Sequence, residues 1–353
     1  MPAAAGPRVD ATSVTFRVAD ADRHYSQVHL RPELPLPADR LAFTQSDAEW
    51  VLRLDRPPVQ RMEYLLDVRH VDGLSLSMVD PANSCTAPGA FGERSVVEFP
   101  GYRPPPWLDA AAVEGRWVDL SVPSRSLGKP VDVRIWAPAN ARPRAALPLL
   151  IAHDGPEYDT LSRLSQYCSA AIAAGTLPPH RLALLAPGDR DEWYSCSSQY
   201  ASALIRAVLP ALMRTTTVAG APVGMGASLG ALAMLHAQRR FPASFAALFL
   251  QSGSFFRPRF DAHESRFGRY QRIVRCVDEM VRVTRAADPV PVAMTCGTVE
   301  ENMANNQLMA RALAAQGHEV ALHPVADAHN YTAWRDAFHP YLTQLLRRVW
   351  TMP

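Results

Sequence analysis

The sequence predicts an α/β domain with a mostly parallel sheet, preceded by an antiparallel β-sandwich. After residue 116, short segments that are apolar almost throughout alternate with helical patterns, as expected for strands covered by helices on both faces. In the first hundred residues, apolar positions instead recur at every second residue between turn-forming residues, which is typical of strands with one buried face. The change of pattern along the chain therefore indicates two kinds of domain.

The N-terminal region has the pattern of short strands separated by turns. Apolar residues alternate over Val14 to Val18 and over Trp50 to Leu54, and Asp-Gly and Asp-Pro pairs interrupt the region. These signals predict an immunoglobulin-like β-sandwich over residues 1–100. The prolines that follow stiffen the chain, because each fixes φ and removes a donor. Residues 101–115 are therefore predicted to be a linker, and residues 116–353 the second domain.

The second region is predicted to open with an antiparallel pair, at Val118 to Val122 and Val131 to Trp136. Apolar strands that alternate with helices follow, at residues 147–152, 181–186, 221–228, 245–251, 291–296 and 319–325. Sheets of this kind bind ligands outside the carboxyl ends of their strands. The residues just after these strands are therefore the candidates for function.

A serine motif follows one of these strands. Gly226-Ala227-Ser228-Leu229-Gly230 fits G-x-S-x-G, in which a serine occupies a cramped strand-to-helix turn and the glycines let neighbouring backbone pass close by. The alternative is a tight turn with a structural role alone. When an acid and a histidine follow in that order, the motif predicts an α/β-hydrolase fold with Ser228 as the nucleophile.

An acid and a histidine do follow in this order. Glu300 comes just after the strand at 291–296 and is the predicted acid, with Glu301 as its rival. Alternatively, both carboxylates only add charge to the first turn of the next helix. His329, on the loop before the final helix, is the predicted base. The competing histidines lie within or beside regular elements: His153, His236 and His323.

These residues predict acyl chemistry through a covalent intermediate. Ser228 alone is a weak nucleophile, so His329 accepts its proton during attack on an ester carbonyl, while Glu300 holds the imidazole in the right tautomer. The negative oxygen of the intermediate needs two N–H donors, which are predicted to be the backbone of Leu229 and that of Gly155. This chemistry needs no metal and no cofactor.

The composition argues against several classes of protein. The net charge of +2 does not suit a nucleic-acid-binding protein, which needs a concentrated basic face. No apolar run approaches the roughly 18 residues of a membrane span. Met1 to Asp10 lacks the apolar core of a secretion signal, which predicts a cytoplasmic protein. The five scattered cysteines are predicted to be reduced, mostly buried thiols without a disulfide framework: Cys85, Cys168, Cys196, Cys276 and Cys296.

Several motifs of this chain occur together in one known family. They are the serine motif, the segment Leu250 to Phe256, the helix that carries Asn306-Gln307, and the ending His329-Asn330 with its Trp334-Arg335 pair. Together they resemble the enterochelin esterase (ferric siderophore esterase) group of the esterase D-like α/β-hydrolases. The resemblance covers nearly the whole chain. It implies a serine esterase behind an N-terminal β-sandwich, with the triad at the serine, acid and histidine positions given above.

The resemblance also implies which residues bind the substrate. Arg190, Glu192 and Trp193 match positions that line the site in the group, and we add Asp154 and Tyr158 from the loop that holds Gly155. Members of the group hydrolyse trilactone siderophores made of catecholate–serine units, and wider kin include feruloyl esterases and mycolyltransferases. The expected partner is therefore a small-molecule ester, such as a ferric siderophore or an aryl ester.

Two positions depart from the pattern of the group. Asp327-Ala328 stands where the group often has Gly-Gly, and Asp327 is thus an alternative partner carboxylate for the histidine. Relatives take the second oxyanion donor from the position of Pro156, which has no N–H, so Gly155 or Glu157 would take that role.

Three functions are therefore compared. The favoured one is a serine esterase, the second is an acyltransferase of mycolyltransferase type with the same triad, and the third is a non-catalytic binding protein with a defective oxyanion hole. The arginine-rich stretch 257–275 fits either of two structures. It is a cationic, aromatic rim for an anionic ferric catecholate, or the polar side of an amphipathic helix.

Overall fold

The computed structural model describes residues 6–142 and 144–350. Met1 to Ala5, the start of the segment in which no secretion signal was recognised, lies outside the described residues. None of the described helices is long and apolar enough to cross a membrane.

The chain divides into two compact units by its internal contacts. The first unit contains the N-terminal chain and two short later segments, and the second contains the rest. The first runs to Arg103 and takes in Gly297–Glu300 and Ala326–Thr332; the second holds Pro104–Cys296, Glu301–Val325 and the chain from Ala333. The predicted acid Glu300 and the predicted base His329 thus belong to the unit of the N-terminal strands.

The first unit is built from antiparallel strands. They are β1 Arg8–Val9, β2 Ser13–Ala19, β3 Tyr25–Pro32, β4 Thr44–Ser46, β5 Glu49–Asp55, β6 Arg61–His70, β7 Ser75–Met78, β8 Thr86–Ala87 and β9 Arg94–Glu98. A 3-10 turn, Ala38–Arg40, precedes β4. One sheet has the order β1-β2-β5-β4, and another has the order β3-β6-β9-β8 with β7 paired to β6. The antiparallel sheets fit the predicted sandwich, while its immunoglobulin type stays a prediction.

The core of this unit follows the predicted alternation. On β2, Val14, Phe16 and Val18 are buried, and the ring of Phe16 meets that of Tyr64 edge-on at 5.1 Å between centroids. Ala328, from one of the later segments, is buried in the same apolar core. Apolar burial is the main driving force of folding, so it also fixes this segment to the N-terminal strands.

The second unit is built on one mixed sheet. Its strands are β10 Gly115–Val122, β11 Val131–Pro138, β12 Leu149–Ala152, β13 Arg181–Leu185, β14 Val223–Ala227, β15 Ala247–Gln251, β16 Val292–Gly297 and β17 Val320–Val325. The order is β10-β11-β13-β12-β14-β15-β16-β17. β10, β11 and β13 pair antiparallel, and the pairs from β13 through β12, β14 and β15 to β16 are parallel. Every residue of β12 to β16 is buried, as predicted for strands covered on both faces.

Helices connect these strands. They are α1 Gly155–Ser162, α2 Leu164–Ala173, α3 Arg190–Tyr194, α4 Ser198–Ala203, α5 Leu209–Thr215, α6 Leu229–Arg240, α7 Tyr270–Arg282, α8 Met303–Ala315, α9 Tyr331–Asp336 and α10 Thr343–Val349. Wider π turns lie at Leu204–Val208 and Phe338–Leu342, and 3-10 turns at Pro106–Leu108 and Ala262–Arg266. The mixed sheet with helices between its strands is the predicted hydrolase architecture.

The cysteine prediction is wrong for one pair. Cys196, just after α3, and Cys276, on α7, form a disulfide with their Cα atoms 6.5 Å apart. Cys168 and Cys296 are buried free thiols, as predicted, and Cys85 is an exposed one. The bonded pair is 80 residues apart in sequence, and only the packing of α7 against the α3 region brings the two sulfur atoms together.

Candidate active site

Ser228 occupies a strained turn between β14 and α6. Its φ is 54° and its ψ −124°, a region that L-residues rarely adopt. A side chain at Gly226 would begin about 2.5 Å from the carbonyl carbon of Gly230, so glycine is required there. Ser228 is half-buried, whereas its neighbours Ala227 and Leu229 are buried. The sequence motif thus forms the predicted nucleophile elbow.

The residues after β15 fix the elbow on one side. The N–H of Ser228 donates to the carbonyl of Gln251 at 2.9 Å, and the N–H of Ser254 donates to the carbonyl of Ser228 at 3.1 Å. The two serine hydroxyl oxygens are 3.1 Å apart, within hydrogen-bond distance. The strained backbone is therefore held through both its N–H and its carbonyl group.

A set of uncharged polar side chains supports this segment. The Gln251 amide donates to the Trp334 carbonyl at 3.1 Å, and the Trp334 indole donates to the Ser252 hydroxyl at 3.0 Å. Asn306 accepts from the N–H of Gly253 at 3.0 Å and donates to its carbonyl at 2.8 Å. We call these side chains the elbow cluster: Gln251, Ser252, Ser254, Asn306 and Trp334. None of their hydrogen bonds depends on a titrating group.

Tyr158, predicted to bind substrate, is fully buried next to this cluster. Its hydroxyl donates to the side-chain oxygen of Gln251 at 2.9 Å. Its place is therefore in the support of the elbow rather than on a solvent-facing surface.

The loop after β12 lies against the start of α6. The imidazole Nδ1 of His153 donates to the carbonyl of Gly230 at 2.9 Å, and its backbone N–H donates to Met225 at 3.0 Å. Burial lowers the pKa of His153 to about 4, so the ring is neutral and structural. This histidine, a rival of His329 in the sequence, is thus a support for the elbow helix.

The two predicted oxyanion donors both stand at helix starts. Leu229 is the first residue of α6, and Gly155 is the first residue of α1. Amides in a first helical turn have no acceptor within the helix and are oriented toward negative charge. A side chain at Gly155 would overlap the backbone of Leu184, so the position is limited to glycine. Pro156 is the second residue of α1 and offers no N–H.

Asp154 and Arg190, both predicted substrate contacts, form a bidentate pair. The guanidinium donates from Nε to one carboxylate oxygen at 2.8 Å and from a terminal nitrogen to the other at 2.9 Å. The Asp154 side chain is 3% exposed, whereas that of Arg190 is 36% exposed. Two parallel charge-assisted bonds hold the guanidinium in one orientation. Arg190 is therefore the partner that can also meet a ligand.

Glu192 is engaged with α7 instead. It accepts from Arg269 at 2.7 Å and from Arg272 at 2.6 Å, and the hydrogen bond from Arg272 lowers its pKa. Arg272 also donates to the carbonyl of Ser195 at 2.6 Å. These two arginines of the arginine-rich stretch thus bind the α3 segment, which supports the amphipathic-helix interpretation for them.

Trp193, also predicted to bind substrate, is buried. Its ring stacks on Tyr200 with 5.3 Å between centroids, and it covers Gly188, where a side chain would overlap the indole. The contact fixes α3 rather than presenting an aromatic surface to solvent.

Glu300 and His329 are brought together across 29 residues of sequence. The Nδ1 of His329 donates to Glu300 Oε2 at 2.7 Å, and the other carboxylate oxygen accepts from the N–H of Gly297 at 2.7 Å. The Glu300 side chain is 2% exposed. With the proton on Nδ1, Nε2 is the nitrogen that accepts a proton, which is the tautomer a general base needs.

Glu301, the rival acid, lies elsewhere. It is exposed and pairs with His263 at 2.9 Å. Among the described residues, His263, Glu264 and Glu301 offer ligand atoms close enough together for a metal ion, but all three are partly or fully exposed. Surface groups of this kind occur commonly without a metal, so they assign no metal centre.

Asp327, the other alternative carboxylate, faces the N-terminal strands. One of its oxygens accepts from the N–H of Ala328 at 2.7 Å and from the Asn330 amide at 3.2 Å, and the other lies 3.4 Å from Arg61. Burial raises the pKa of Asp327 to about 6, and the charge of Arg61 opposes that rise.

Sequence reasoning found the reactive groups but missed most of their supports. The elbow cluster could have been suspected from Gln251 to Ser254, a polar run at the end of an apolar strand. Arg61 gave no comparable signal, because an arginine at the start of an alternating strand is usually exposed.

The chain belongs to a family of esterases. The model of the family described as "Putative esterase" matches residues 124–345, which is most of the second unit. The iron(III) enterobactin esterase of Dickeya dadantii (strain 3937) is 30% identical over 216 residues, or 56% of this chain and 48% of that protein. The match therefore spans about half the length of this curated relative.

Solved structures share the fold over the whole chain. An enterobactin esterase from Shigella flexneri, solved with 2,3-dihydroxy-N-benzoyl-glycine, matches with a TM-score of 0.75 at 18% identity and covers 98% of this chain and 97% of that one. The ferric enterobactin esterase of Salmonella typhimurium matches with a TM-score of 0.72 at 18% identity, over 98% and 96%. A ferulic acid esterase matches at 0.57 and 15% identity, over 67% and 100%. The resemblance predicted from the sequence is thus confirmed.

Proposed function

We propose that this protein is a serine esterase that cleaves carboxylic esters through an acyl-enzyme. The observation that carries the proposal is the strained backbone of Ser228, because such strain at a strand end is retained where it presents a nucleophile. The hydrogen bond from His329 to Glu300 gives independent support, since a base needs such an orienting partner.

In the proposed mechanism, Ser228 attacks the ester carbonyl while His329 takes its proton. Glu300 keeps Nδ1 protonated and stabilises the imidazolium that forms. The proton then passes to the leaving alcohol, and a water molecule repeats the steps to release the acid. The pairing of Ser228 with His329 is part of the proposal.

The proposed oxyanion donors are the N–H groups of Leu229 and Gly155. Both stand at helix starts, where backbone amides favour negative charge. Loss of one such donor costs about 3 kcal/mol of transition-state stabilisation. The second donor therefore decides between an effective esterase and the binding protein considered as an alternative.

For the substrate, we propose a siderophore ester of the enterobactin type, or an aryl ester. The support is the likeness to enterobactin and ferulic acid esterases. Arg190, half-exposed and pre-oriented by Asp154, is the proposed contact for an anionic or phenolic group. We propose that Tyr158 and Trp193 act by supporting the site, and that Glu192 acts through its arginine pairs.

The domain limits and the cellular location are also proposals. We retain a sandwich of immunoglobulin type over residues 1–100, a linker over 101–115 and a catalytic domain over 116–353. Limited proteolysis tests these limits, and cleavage first inside 116–353 would contradict them. Fractionation of source cells beside a cytosolic marker enzyme tests the cytoplasmic location.

The central test replaces the nucleophile. Ser228→Ala should abolish hydrolysis of p-nitrophenyl butyrate and labelling by a fluorophosphonate, whereas Ser254→Ala should keep the label. Turnover by Ser228→Ala equal to that of the wild type would remove Ser228 from the mechanism. If the wild type takes no label, the binding protein is favoured instead.

A substrate panel then identifies the ester. Enterobactin, feruloyl esters and short acyl esters are compared by kcat/KM, and each reaction is repeated with an added sugar or lipid alcohol. Free acid in all reactions supports the esterase. Transfer of the acyl group to the added alcohol supports the acyltransferase.

A further inference from the structure

A buried arginine stands at the start of β6. Arg61 is 2% exposed, and its guanidinium lies 3.1 Å from Glu63 and 3.4 Å from Asp327. A buried charge is retained only when it is paired and hydrogen-bonded, because its removal from water is costly. Arg61 therefore depends on Asp327, which lies 266 residues later in the sequence.

The loop before His329 is attached to the N-terminal strands by three kinds of contact. The N–H of Gln60 donates to the carbonyl of Ala326 at 2.7 Å. Ala328 is buried in the apolar core of the first unit, and Asp327 between them pairs with Arg61. Backbone, apolar and ionic contacts therefore fix three consecutive residues just before the imidazole.

Asp327 also shapes the turn that carries His329. Its Oδ1 accepts from the residue before His329 and from the residue after it, Ala328 N–H and the Asn330 amide, while Oδ2 faces Arg61. One carboxylate thus connects both sides of the histidine to the guanidinium. Movement of Arg61 would be transmitted to the ring through a single side chain.

We propose that Arg61 is a positioning residue of the esterase: by holding Asp327, it keeps the His329 ring in its hydrogen bond to Glu300. The proposal rests on the proposed function, since it assigns His329 the role of base. It gives the N-terminal unit a part in proton transfer, beyond any part in holding the substrate.

The charges around His329 determine how the effect depends on pH. Glu300 accepts from the ring, and Glu33, which pairs with Arg94 at 3.0 Å, also acts on it through its charge. Without Arg61, the carboxylates of Asp327 and Glu63 are left buried without this cation. Their charged forms then disturb the turn most at high pH, where neither is protonated.

The test compares Arg61→Met with Arg61→Lys and with Arg31→Met. Arg31 is a matched control, because it pairs with Asp67 at the same 3.4 Å on β3 of the same sheet but is about half exposed. For Arg61→Met we expect kcat to fall by about 10- to 100-fold with little change in KM, since a small misplacement of a catalytic group costs this much. The loss should grow from pH 6 to pH 9. Arg61→Lys should regain part of it, and Arg31→Met should match the wild type.

A second readout does not depend on activity. In protein labelled with nitrogen-15 histidine, the Nδ1 proton signal of His329, assigned with His329→Gln, reports the hydrogen bond to Glu300. We expect Arg61→Met to weaken or remove this signal. Its loss in a protein that hydrolyses no ester would support the positioning role while the proposed function fails.

Two results would overturn the proposal. One is a kcat for Arg61→Met within twofold of the wild type at all pH values, with the His329 signal intact. The other is a loss that is equal at every pH value and is carried by KM. If Arg61→Met does not fold, Asp327→Asn decides: it keeps the size of the side chain, and an unchanged kcat and His329 signal would reject the role of Arg61.

Discussion

The two sides of the proposed reaction are held by different kinds of bond. Around Ser228, the elbow cluster consists of amides, hydroxyls and an indole, all uncharged. Around His329, the supports are ions: Arg61, Glu63, Asp327 and Glu33 with its partner Arg94. We call the latter the charged cluster.

The difference indicates where pH acts on the molecule. Uncharged hydrogen bonds keep their strength between pH 5 and pH 9, so the strained nucleophile should stay in place over that range. The charged cluster contains carboxyl groups with pKa values raised by burial, to about 7 for Glu33 and about 6 for Asp327. The base side should therefore respond to pH, whereas the nucleophile side should not.

The largest expected effect comes from Glu300→Gln. The amide keeps the size of the side chain but offers an N–H to Nδ1, which forces the proton of His329 onto Nε2 and removes its basicity there. We expect kcat to fall by about 10³- to 10⁴-fold. Steady-state kinetics with p-nitrophenyl butyrate measures the loss. Glu301→Gln is the matched control and should stay near wild type; the reverse result would make Glu301 the acid.

Glu33→Gln tests the pH response of the charged cluster. The pKa of Glu33 in the folded protein, about 7, lies above its usual value of 4.5, mainly because of burial and the charge of Glu63. The stability from this group is therefore present below about pH 4.5 and is lost as pH rises through about 7. The loss amounts to up to about 3 kcal/mol.

Glu33→Gln should remove this part of the decline. Urea unfolding at pH 5 and pH 8 measures the free energy of unfolding, and the variant should gain relative to the wild type only at the higher pH. Glu49→Gln, an exposed carboxyl that pairs with Arg17, is the control. Equal differences at both pH values would contradict the raised pKa.

Asn306→Ala makes the opposite test on the elbow cluster. It leaves the buried N–H and carbonyl of Gly253 without their partner, which should cost about 2 kcal/mol of unfolding free energy. The cost should be the same at pH 6 and pH 8, because no charged group takes part. A cost that changes with pH would remove the contrast between the two clusters.

The smallest expected effect is that of Ser254→Ala. It removes a single hydroxyl contact to Ser228, while the backbone bond from Ser254 N–H to Ser228 remains. We expect kcat to fall by about 3-fold, which corresponds to one weak neutral hydrogen bond. Turnover assays at pH 6 and pH 9 should give the same ratio. A loss above 100-fold would place Ser254 among the reacting groups.

The sequence was a good guide wherever a signal was local. The predicted strand at 221–228 is β14 with the elbow at its end, and the one at 291–296 is β16 with Glu300 after it. By contrast, Tyr158 and Trp193 were placed on the substrate surface, and the structure buries both. Their exposure depends on what packs over them, and neighbouring residues in the sequence do not reveal it.

The sequence by itself determined the strands, the mixed sheet and the strained serine turn, because periodicity and glycine spacing act over a few residues. Only the tertiary structure decided that Glu300 rather than Glu301 meets His329, that Cys196 bonds Cys276, and that Arg61 reaches Asp327. These pairs lie between 29 and 266 residues apart. The fold selects such partners by burial and by the balance of charge, and a one-dimensional pattern carries neither.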